Sequence, residues 1–517
     1  MSETATLVRA AEAVAAPPRP LRAAVLSGAF FGARHRAAAE RLAAFASLPT
    51  AEALALWFGE ADALRLAADP EGCRAALDRD IAALDALIGR QLDAILHHPR
   101  LRRFEGSWRG LAWLVAGLEP RGRVKAKLLN LSWPELCRDL ERAVEFDQSQ
   151  LFHKIYEEEF GSPGGEPYGL LIVDHEVRHR PVPGAPTDDV AALAQLAGVA
   201  AAAFAPTVLA AAPALLQVEE FADLALTVDL ANPFRAPEFT RWRSLGARSD
   251  MRFLGVALPR LLARPPWQDD PARVDGFRYA EYAPDLSARV WMTAGYAFAA
   301  VVARAFAAHA WPADVRGCET DIVGGGLVTD MPIEPFRTDP DHVWVRPPLD
   351  IVFSDRIEAA LIEAGLIPLS ALPYGEEAVF SAVRSLHMPA AFIGPNAAAA
   401  GANARISSHL NAMLCVSRFA HYVKIIGRNM VGSFATAAEV EGRLQAWLSG
   451  YVNSSLSAGP ESRARYPLVA GRVTVRERPG RPGVLGCTIH LQPHFQLDNV
   501  AATFRLVTDI AAPGIRE

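Results

Sequence analysis

The chain has 517 residues, enough for two or three domains with a sizeable core. With 52 Lys and Arg against 58 Asp and Glu, its formal charge of −6 argues against a broad nucleic-acid-binding surface. Its five cysteines are scattered and never form a CxxC pair, which excludes a disulfide framework and a cysteine-built zinc site, so we expect a reducing, cytoplasmic location.

The N-terminal fifth of the chain divides into two stretches. Residues 1–20 are rich in Ala, Pro and small polar residues, which predicts a flexible arm, and charged residues interrupt any signal-peptide core. Residues 21–99 carry a helical pattern that ends in an amphipathic helix. Its stripe packs either on this chain's core or on a partner, and periodicity leaves both open. The apolar stripe consists of Ile81, Leu84, Ile88, Leu92 and Ile95.

Residues 100–370 are predicted to form an α/β core. Apolar runs at 124–131, 170–173 and 253–258 indicate strands, and helical segments separate them. The uncharged stretch 190–217 is mostly alanine and contains two prolines, so it predicts a buried helix followed by a strand and no membrane insertion.

Capping residues mark several helices. Ser132 and Glu135 have the spacing of a capping box, and we expect that helix to continue to Phe146. Asp188 and Asp189 favour another helix start, since carboxylates stabilise the positive end of a helix dipole. Further helices are predicted over residues 149–160, 293–310, 355–364, 404–428 and 436–451.

Residues 371–517 are predicted to be a C-terminal domain that ends in three short strands. A Pro- and Gly-rich run at 479–483 supplies the turn between the first two. Strands at a chain end leave hydrogen-bonding edges that need a partner or protection. The apolar positions of the strands are Val473, Val475, Ile489, Leu491, Phe504 and Leu506.

One motif suggests catalysis. His175, Glu176 and His179 match HExxH, which in zinc peptidases places both histidines on one helical face. Here the motif follows a strand-like run and precedes two prolines, and residues four apart on a strand lie about 13 Å from each other. We therefore interpret the three residues as polar groups at a strand's exit, with a zinc peptidase as a remote alternative. The glycine runs lack phosphate-loop and dinucleotide spacing, so no catalytic, metal or cofactor site is expected.

Seven sequence blocks, in one order over residues 80–510, resemble the large subunit of the type VI secretion contractile sheath, the family called TssC, VipB, ImpC or EvpB. The blocks are FEGSWRGLAWLV at 104–115, the run 128–176 from LLNLSWPEL to LLIVDHE, FLGVALPRLL at 253–262, GYAFAAVVARAFAAHAWPADVRG at 295–317, GGGLV at 324–328, SRFAHYVKIIGRNMVGSF at 417–434 and LQPHFQLD at 491–498.

The resemblance implies a structural protein, not an enzyme, with a tail-sheath fold. Its partners would be the small sheath subunit TssB/VipA, further copies of itself in six-membered rings, the enclosed Hcp tube and baseplate proteins. The 21–99 helices would wrap with the small subunit, and the terminal strands would pair with neighbouring protomers. Two alternatives stay open: a divergent paralogue, or the sheath of a phage-like contractile tail.

The resemblance also implies contact with the ClpV unfoldase after contraction. In this sequence the nearest counterparts of that site are Leu26, Phe30, Phe31 and Arg34.

Overall fold

The structure is a computed structural model. It describes residues 21–27, 36–120, 122–162, 164–227, 234–273, 276–319, 322–372, 375–390, 392–393, 401, 404, 408–430, 436–455, 458–477, 485–494 and 504–510. The chain divides into two compact units. Unit 1 comprises 1–101 and 266–288, and unit 2 comprises 102–265 and 289–517.

Unit 1 is helical, as the sequence predicts for residues 21–99. The side chains of its small core, which include Leu21, Trp57 and Leu66, come from four of its five helices. Residues of the 266–288 segment pack on the last helix, where the Tyr279 hydroxyl donates to Asp93 at 2.7 Å. The helices are α1 (Leu21–Leu26), α2 (Arg36–Ser47), α3 (Thr50–Phe58), α4 (Glu60–Ala67) and α5 (Pro70–Leu96).

Unit 2 is built on a parallel four-stranded sheet in the order β1-β2-β3-β9. Every residue of the two central strands is buried, because a parallel sheet is covered on both faces. The strands are β1 (Leu171–Val177), β2 (Thr207–Ala211), β3 (Leu254–Leu258) and β9 (Ile367–Pro368). The mixed α/β fold class is thereby confirmed.

Helices cover both faces of this sheet. Leu193 and Leu196 of α9 (Asp189–Ala203) pack in a core with Val256, while Phe298 of α11 (Ala294–His309) packs in another with Ala257. Neighbouring residues of β3 thus point into different layers, as strand geometry requires. The helix predicted within 190–217, and the strand after it, are confirmed.

The helices predicted in unit 2 are present, with ends that differ from the expected ones by up to six residues, whereas those at Pro99–Ala116, Thr240–Gly246 and Pro460–Arg465 were not predicted. The capping box of Ser132 and Glu135 is present, but its helix stops at Arg142 and not at Phe146. The segment predicted at 149–160 begins as an α-helix and continues as a π-helix over His153–Gly161. The helices are α6 (Pro99–Ala116), α7 (Trp133–Arg142), α8 (Gln150–Phe152), α10 (Thr240–Gly246), α12 (Asp355–Glu363), α13 (Leu410–Met430), α14 (Ala437–Ser449) and α15 (Pro460–Arg465).

Four smaller sheets complete unit 2. The largest of them is antiparallel, in the order β12-β13-β14, and packs on α13 and α14. The remaining strands are β4 (Leu261–Arg264), β5 (Val290–Met292), β6 (Leu327–Val328), β7 (Glu334–Phe336), β8 (Trp344–Arg346), β10 (Ser370–Ala371), β11 (Ala378–Val379), β12 (Leu468–Glu477), β13 (Leu485–Pro493) and β14 (Phe504–Ile510).

One strand prediction is wrong for the chain by itself. The apolar run at 124–131 forms no strand, and residues 125–131 are exposed. A strand needs a hydrogen-bonding neighbour, and among the described residues none pairs with this run. The turn predicted at 479–483 and the arm at 1–20 lie outside the described residues, and the domain limits at 20, 99 and 370 stay predictions.

Candidate assembly interfaces

Helix α5 has a buried carboxylate on the side that packs against the other helices of unit 1. The helix begins after Asp69, whose side chain accepts a hydrogen bond from the Gly72 amide at 3.0 Å. Asp80 is buried, and its carboxylate accepts from the Arg22 guanidinium at 2.7 Å and from the Trp57 indole at 2.9 Å. These bonds satisfy a charge that would otherwise be costly to bury.

The apolar stripe predicted on α5 is largely exposed. Leu84 and Leu92 are partly buried, and Leu84 packs against the unit 1 core. The exposed members lie seven residues apart, on one side of the helix. They are Ile81 at 50%, Ile88 at 42% and Ile95 at 50% exposed, joined by Leu77 at 38%. A buried carboxylate and exposed isoleucines reverse the usual amphipathic arrangement of a helix. Such a row of exposed apolar side chains is typical of an interaction surface.

Helix α6 presents a second apolar stripe, which the sequence reasoning missed. Phe104, Trp108 and Val115 are 61%, 51% and 47% exposed, and their spacing of four and seven places them on one side. The opposite side has two glycines because neighbours leave no room: a Cβ on Gly106 would lie 2.1 Å from the Trp291 carbonyl oxygen. The sequence signal for this stripe was the helical spacing of its apolar residues within FEGSWRGLAWLV.

The predicted strand-pairing side chains lie inside the chain's own core. Val473 and Val475 of β12 and Ile489 and Leu491 of β13 are all buried. They pack in a cluster that includes Trp311, which stacks on Phe419 at 4.2 Å between ring centroids. These four side chains are therefore not free for another protomer, and only backbone edges remain for pairing. Phe504 and Leu506 belong to β14, where they pair in register with Leu491 and Ile489, and their side chains are outside the described set.

The two edges of this sheet differ. Along β12, the Val473 amide donates to the side-chain oxygen of Gln445 at 2.8 Å, and the Val475 amide donates to the Glu441 carboxylate at 2.8 Å. Helix α14 thus covers that edge with side-chain acceptors. On its other side, β14 has no strand partner among the described residues.

The HExxH residues separate into three environments. His175 stacks on Trp133 at 4.2 Å and lies 3.3 Å from the Asp189 carboxylate. His179 stacks on Phe239 at 4.1 Å, and burial lowers its pKa. The first two motif residues lie on β1, which confirms the prediction that the motif lies at the end of a strand. The two histidines contact different aromatic side chains and have no common metal-binding position. No group of His, Cys, Asp and Glu suited to a metal occurs among the described residues.

The glutamate of the motif instead belongs to a partly buried ion cluster. Glu176 accepts from the Arg260 guanidinium at 2.6 Å, and the Asp350 carboxylate accepts from the Arg260 amide at 3.1 Å. Burial raises the pKa of Asp350 to about 7, against the opposing influence of Arg260. The cluster ties β1 and the turn after β3 to the chain before α12, which is a structural task.

The glycine triplet forms a turn, as its composition predicts. Gly325 has φ of +57°, in the left-handed region, and its amide donates to the Asp314 carboxylate at 2.8 Å. The Arg304 guanidinium donates to the carbonyls of Gly325 and Leu327. The Gly326 amide donates to the Gly317 carbonyl at 2.6 Å, so the Gly325 and Gly326 amides, which a phosphate loop would offer to a ligand, already have partners within the chain.

The proposed unfoldase residues fall mostly outside the described part of the chain. Leu26 ends α1 and is partly buried. Phe30, Phe31 and Arg34 lie outside the described residues. In the part of the chain that is described, no helix combines the length and apolar character needed to cross a bilayer.

Comparison with known proteins identifies the class first. Two family profiles match in tandem: the EvpB/VC_A0108 tail sheath N-terminal domain over residues 78–387, and the EvpB/VC_A0108 tail sheath gpW/gp25-like domain over residues 399–510. The chain is therefore a tail-sheath protein. It is also 36% identical over 435 residues to the "Type VI secretion system sheath protein TssC1" of Pseudomonas aeruginosa, a match that covers 83% of this chain and 85% of that protein. The chain belongs to the EvpB/VipB family of type VI secretion sheath proteins, as a large sheath subunit.

Proposed function

We propose that this large subunit pairs with the small sheath subunit (TssB/VipA) through the outward stripe of α5. One observation carries the proposal: α5 buries Asp80 and exposes Ile81, Ile88 and Ile95. Isoleucines in such a row match the apolar seam of helices that wrap around each other. Unit 2 has a separate apolar surface on α6, and its Trp108 is an aromatic side chain of the kind that dominates binding energy at protein interfaces.

The heterodimers stack as six-membered rings around a tube of Hcp, starting from baseplate proteins, in the bacterial cytoplasm. The protein is not an enzyme, and its partners do not include nucleic acid. The work of contraction is stored when the sheath assembles in its extended form. Two packings of one sequence differ by roughly a few kcal/mol, and many linked copies add their contributions. After contraction, the N-terminal helices present a site to ClpV, with Leu26 as the described candidate residue.

Rings stay connected during this movement because terminal strands pair between protomers. The edge of β12 is occupied by Gln445 and Glu441, whereas β14 has no strand partner on its outer side among the described residues. The outer edge of β14 is therefore the place for a neighbour's strand. This assignment rests on main-chain hydrogen bonds and leaves Val473 and Leu491 in their own core.

Co-expression with the small sheath subunit from the same gene cluster tests the proposal. We expect a stable, sedimentable complex that electron microscopy shows as hollow six-fold tubes, and aggregation of the large subunit expressed alone. A monodisperse monomer under both conditions contradicts the proposal.

A further inference from the structure

Residues 123–131, which connect α6 to α7, have the sequence of a strand and no strand to pair with. From Lys125 to Ser132 every residue is exposed, and the exposed side chains include Leu128 at 62%, Leu129 at 50% and Leu131 at 41%. Three leucines in four positions form an apolar patch of the kind that marks an interaction site.

The main chain of this segment is open as well. Among the described residues, no hydrogen bond reaches the backbone amides or carbonyls of residues 123–131; the nearest bonded backbone groups are those of Gly122 and Ser132. Exposed backbone next to exposed leucines is the combination that invites an added strand.

Two lysines fix one side of the segment. Lys125 forms an ion pair with Glu166, and Lys127 forms one with Glu159 and lies 5.5 Å from the Tyr168 ring. Residues two apart on a strand share a face, so in an extended segment Val124, Ala126 and Leu128 lie on the face opposite the lysines, while Leu129 and Leu131 share the lysine face. The side chains of Lys125 and Lys127 contact the chain that leads into β1, and the exposed leucines on both faces are left for a partner.

We propose that residues 123–131 are a docking strand, completed by an extended segment of the small sheath subunit in which acidic side chains alternate with apolar ones. This inference rests on the proposed function, because it takes its partner from there. Charge favours that chemistry: residues 120–132 contain no acidic residue, and besides Lys125 and Lys127, which pair with Glu166 and Glu159, they carry Arg121 and Arg123, in a chain of net charge −6.

The same charges disfavour a second copy of this chain as the occupant. Parallel, in-register pairing of the segment with itself would bring Arg123, Lys125 and Lys127 each beside the same residue of the second copy, and like charges destabilise cross-strand pairs.

Amide hydrogen exchange on the co-purified complex tests the inference. Amides from Val124 to Leu131 that face the added strand should exchange at least about 100-fold more slowly than in an unstructured peptide. Exchange within about tenfold of the unstructured rate in the assembled complex would overturn the proposal. Equal protection in the soluble fraction of the chain expressed without the small subunit would also overturn it, because the occupant would then be the chain itself.

Proline substitutions test the backbone bonds directly. Adjacent strand residues donate toward opposite edges, so Ala126→Pro and Leu129→Pro are compared separately. We expect at least one to reduce recovery of the small subunit by about tenfold or more. Ala126→Ser and Leu129→Ala keep both donors and serve as matched controls. Protection of the β2 and β3 amides in each variant, measured in the same experiment, reports whether unit 2, which contains the segment, remains folded.

The outcomes separate this inference from the proposed function. If the unaltered pair fails to co-purify, the partner assignment itself is wrong. If the unaltered pair co-purifies and both proline variants recover it equally well, the docking strand alone is wrong.

Discussion

Helix α5 and the C-terminal sheet both carry regularly spaced apolar side chains, and the two regions place them differently. In the sheet, Val475 and Leu491 fill a core closed by α13 and α14. On α5, Asp80 is buried, while Ile81 and Ile88 are exposed. A regular apolar pattern therefore identifies a face that must be covered, but the cover is internal in one case and, as we propose, external in the other.

The largest effect on folding is expected in the C-terminal sheet. Val475→Asp places a carboxylate without a cationic partner inside the core, at a cost of about 3 kcal/mol or more. Amide exchange along β12 and β13 should accelerate accordingly, and limited proteolysis should remove the C-terminal region.

Arg476→Asp is the matched control on the same strand, because Arg476 is exposed. It should leave exchange in β12 and β13 nearly unchanged. If Val475→Asp folded normally and blocked only the growth of sheaths, the side chain would serve another protomer and the comparison between the two regions would fail.

A smaller effect is expected where α14 covers the edge of β12. Glu441→Leu removes the acceptor of the Val475 amide, and Gln445→Leu removes that of the Val473 amide. Each change should destabilise the sheet by about 1 to 2 kcal/mol, the cost of an unpaired donor. Faster exchange of the two affected amides measures this loss.

Opening that edge should also promote self-association, because uncovered strands pair with other strands. Arg443→Leu adds an equal apolar side chain at an exposed position of α14 and controls for helix propensity and surface hydrophobicity. A Glu441 or Gln445 variant that matched this control would show that α14 does not protect the edge.

The sequence predicted the positions of helices and strands better than it predicted what each of them packs against. Periodicity located α5, the parallel strands and β12 because local side-chain spacing reflects local geometry. The same pattern led to the prediction that Val475 and Leu491 lie at an interface between protomers. It could not show that α14 covers β12, because that contact is formed only by tertiary packing. The same limit explains 124–131, where an apolar run predicted a strand whose partner, as we propose, lies outside the chain.

For the HExxH residues, the neighbouring sequence correctly predicted the local structure. Pro181 and Pro183 and the preceding apolar run indicated a strand, and β1 confirms it. No sequence signal indicated that Glu176 would pair with Arg260, eighty-four positions away.

The smallest effect on folding, and the sharpest test of the comparison, is expected on α5. Ile88→Asp changes an exposed side chain, so unit 1 should lose less than about 0.5 kcal/mol of stability, measured by exchange of α5 amides. Recovery of the small sheath subunit should nevertheless fall by at least about tenfold, because a carboxylate would be buried in an apolar seam. Arg90→Asp, half a turn further around the same helix from Ile81, introduces the same side chain away from the stripe and should retain the partner.

Reduced recovery with both variants would mean that negative charge anywhere on α5 repels the small subunit, and normal recovery with both would remove the stripe from the interface. Loss with Ile88→Asp alone, with α5 amides still protected, separates docking from folding. That result is the opposite of the one expected for Val475→Asp, in which folding fails first. The two substitutions together therefore measure whether each apolar face is covered from within the chain or by a partner.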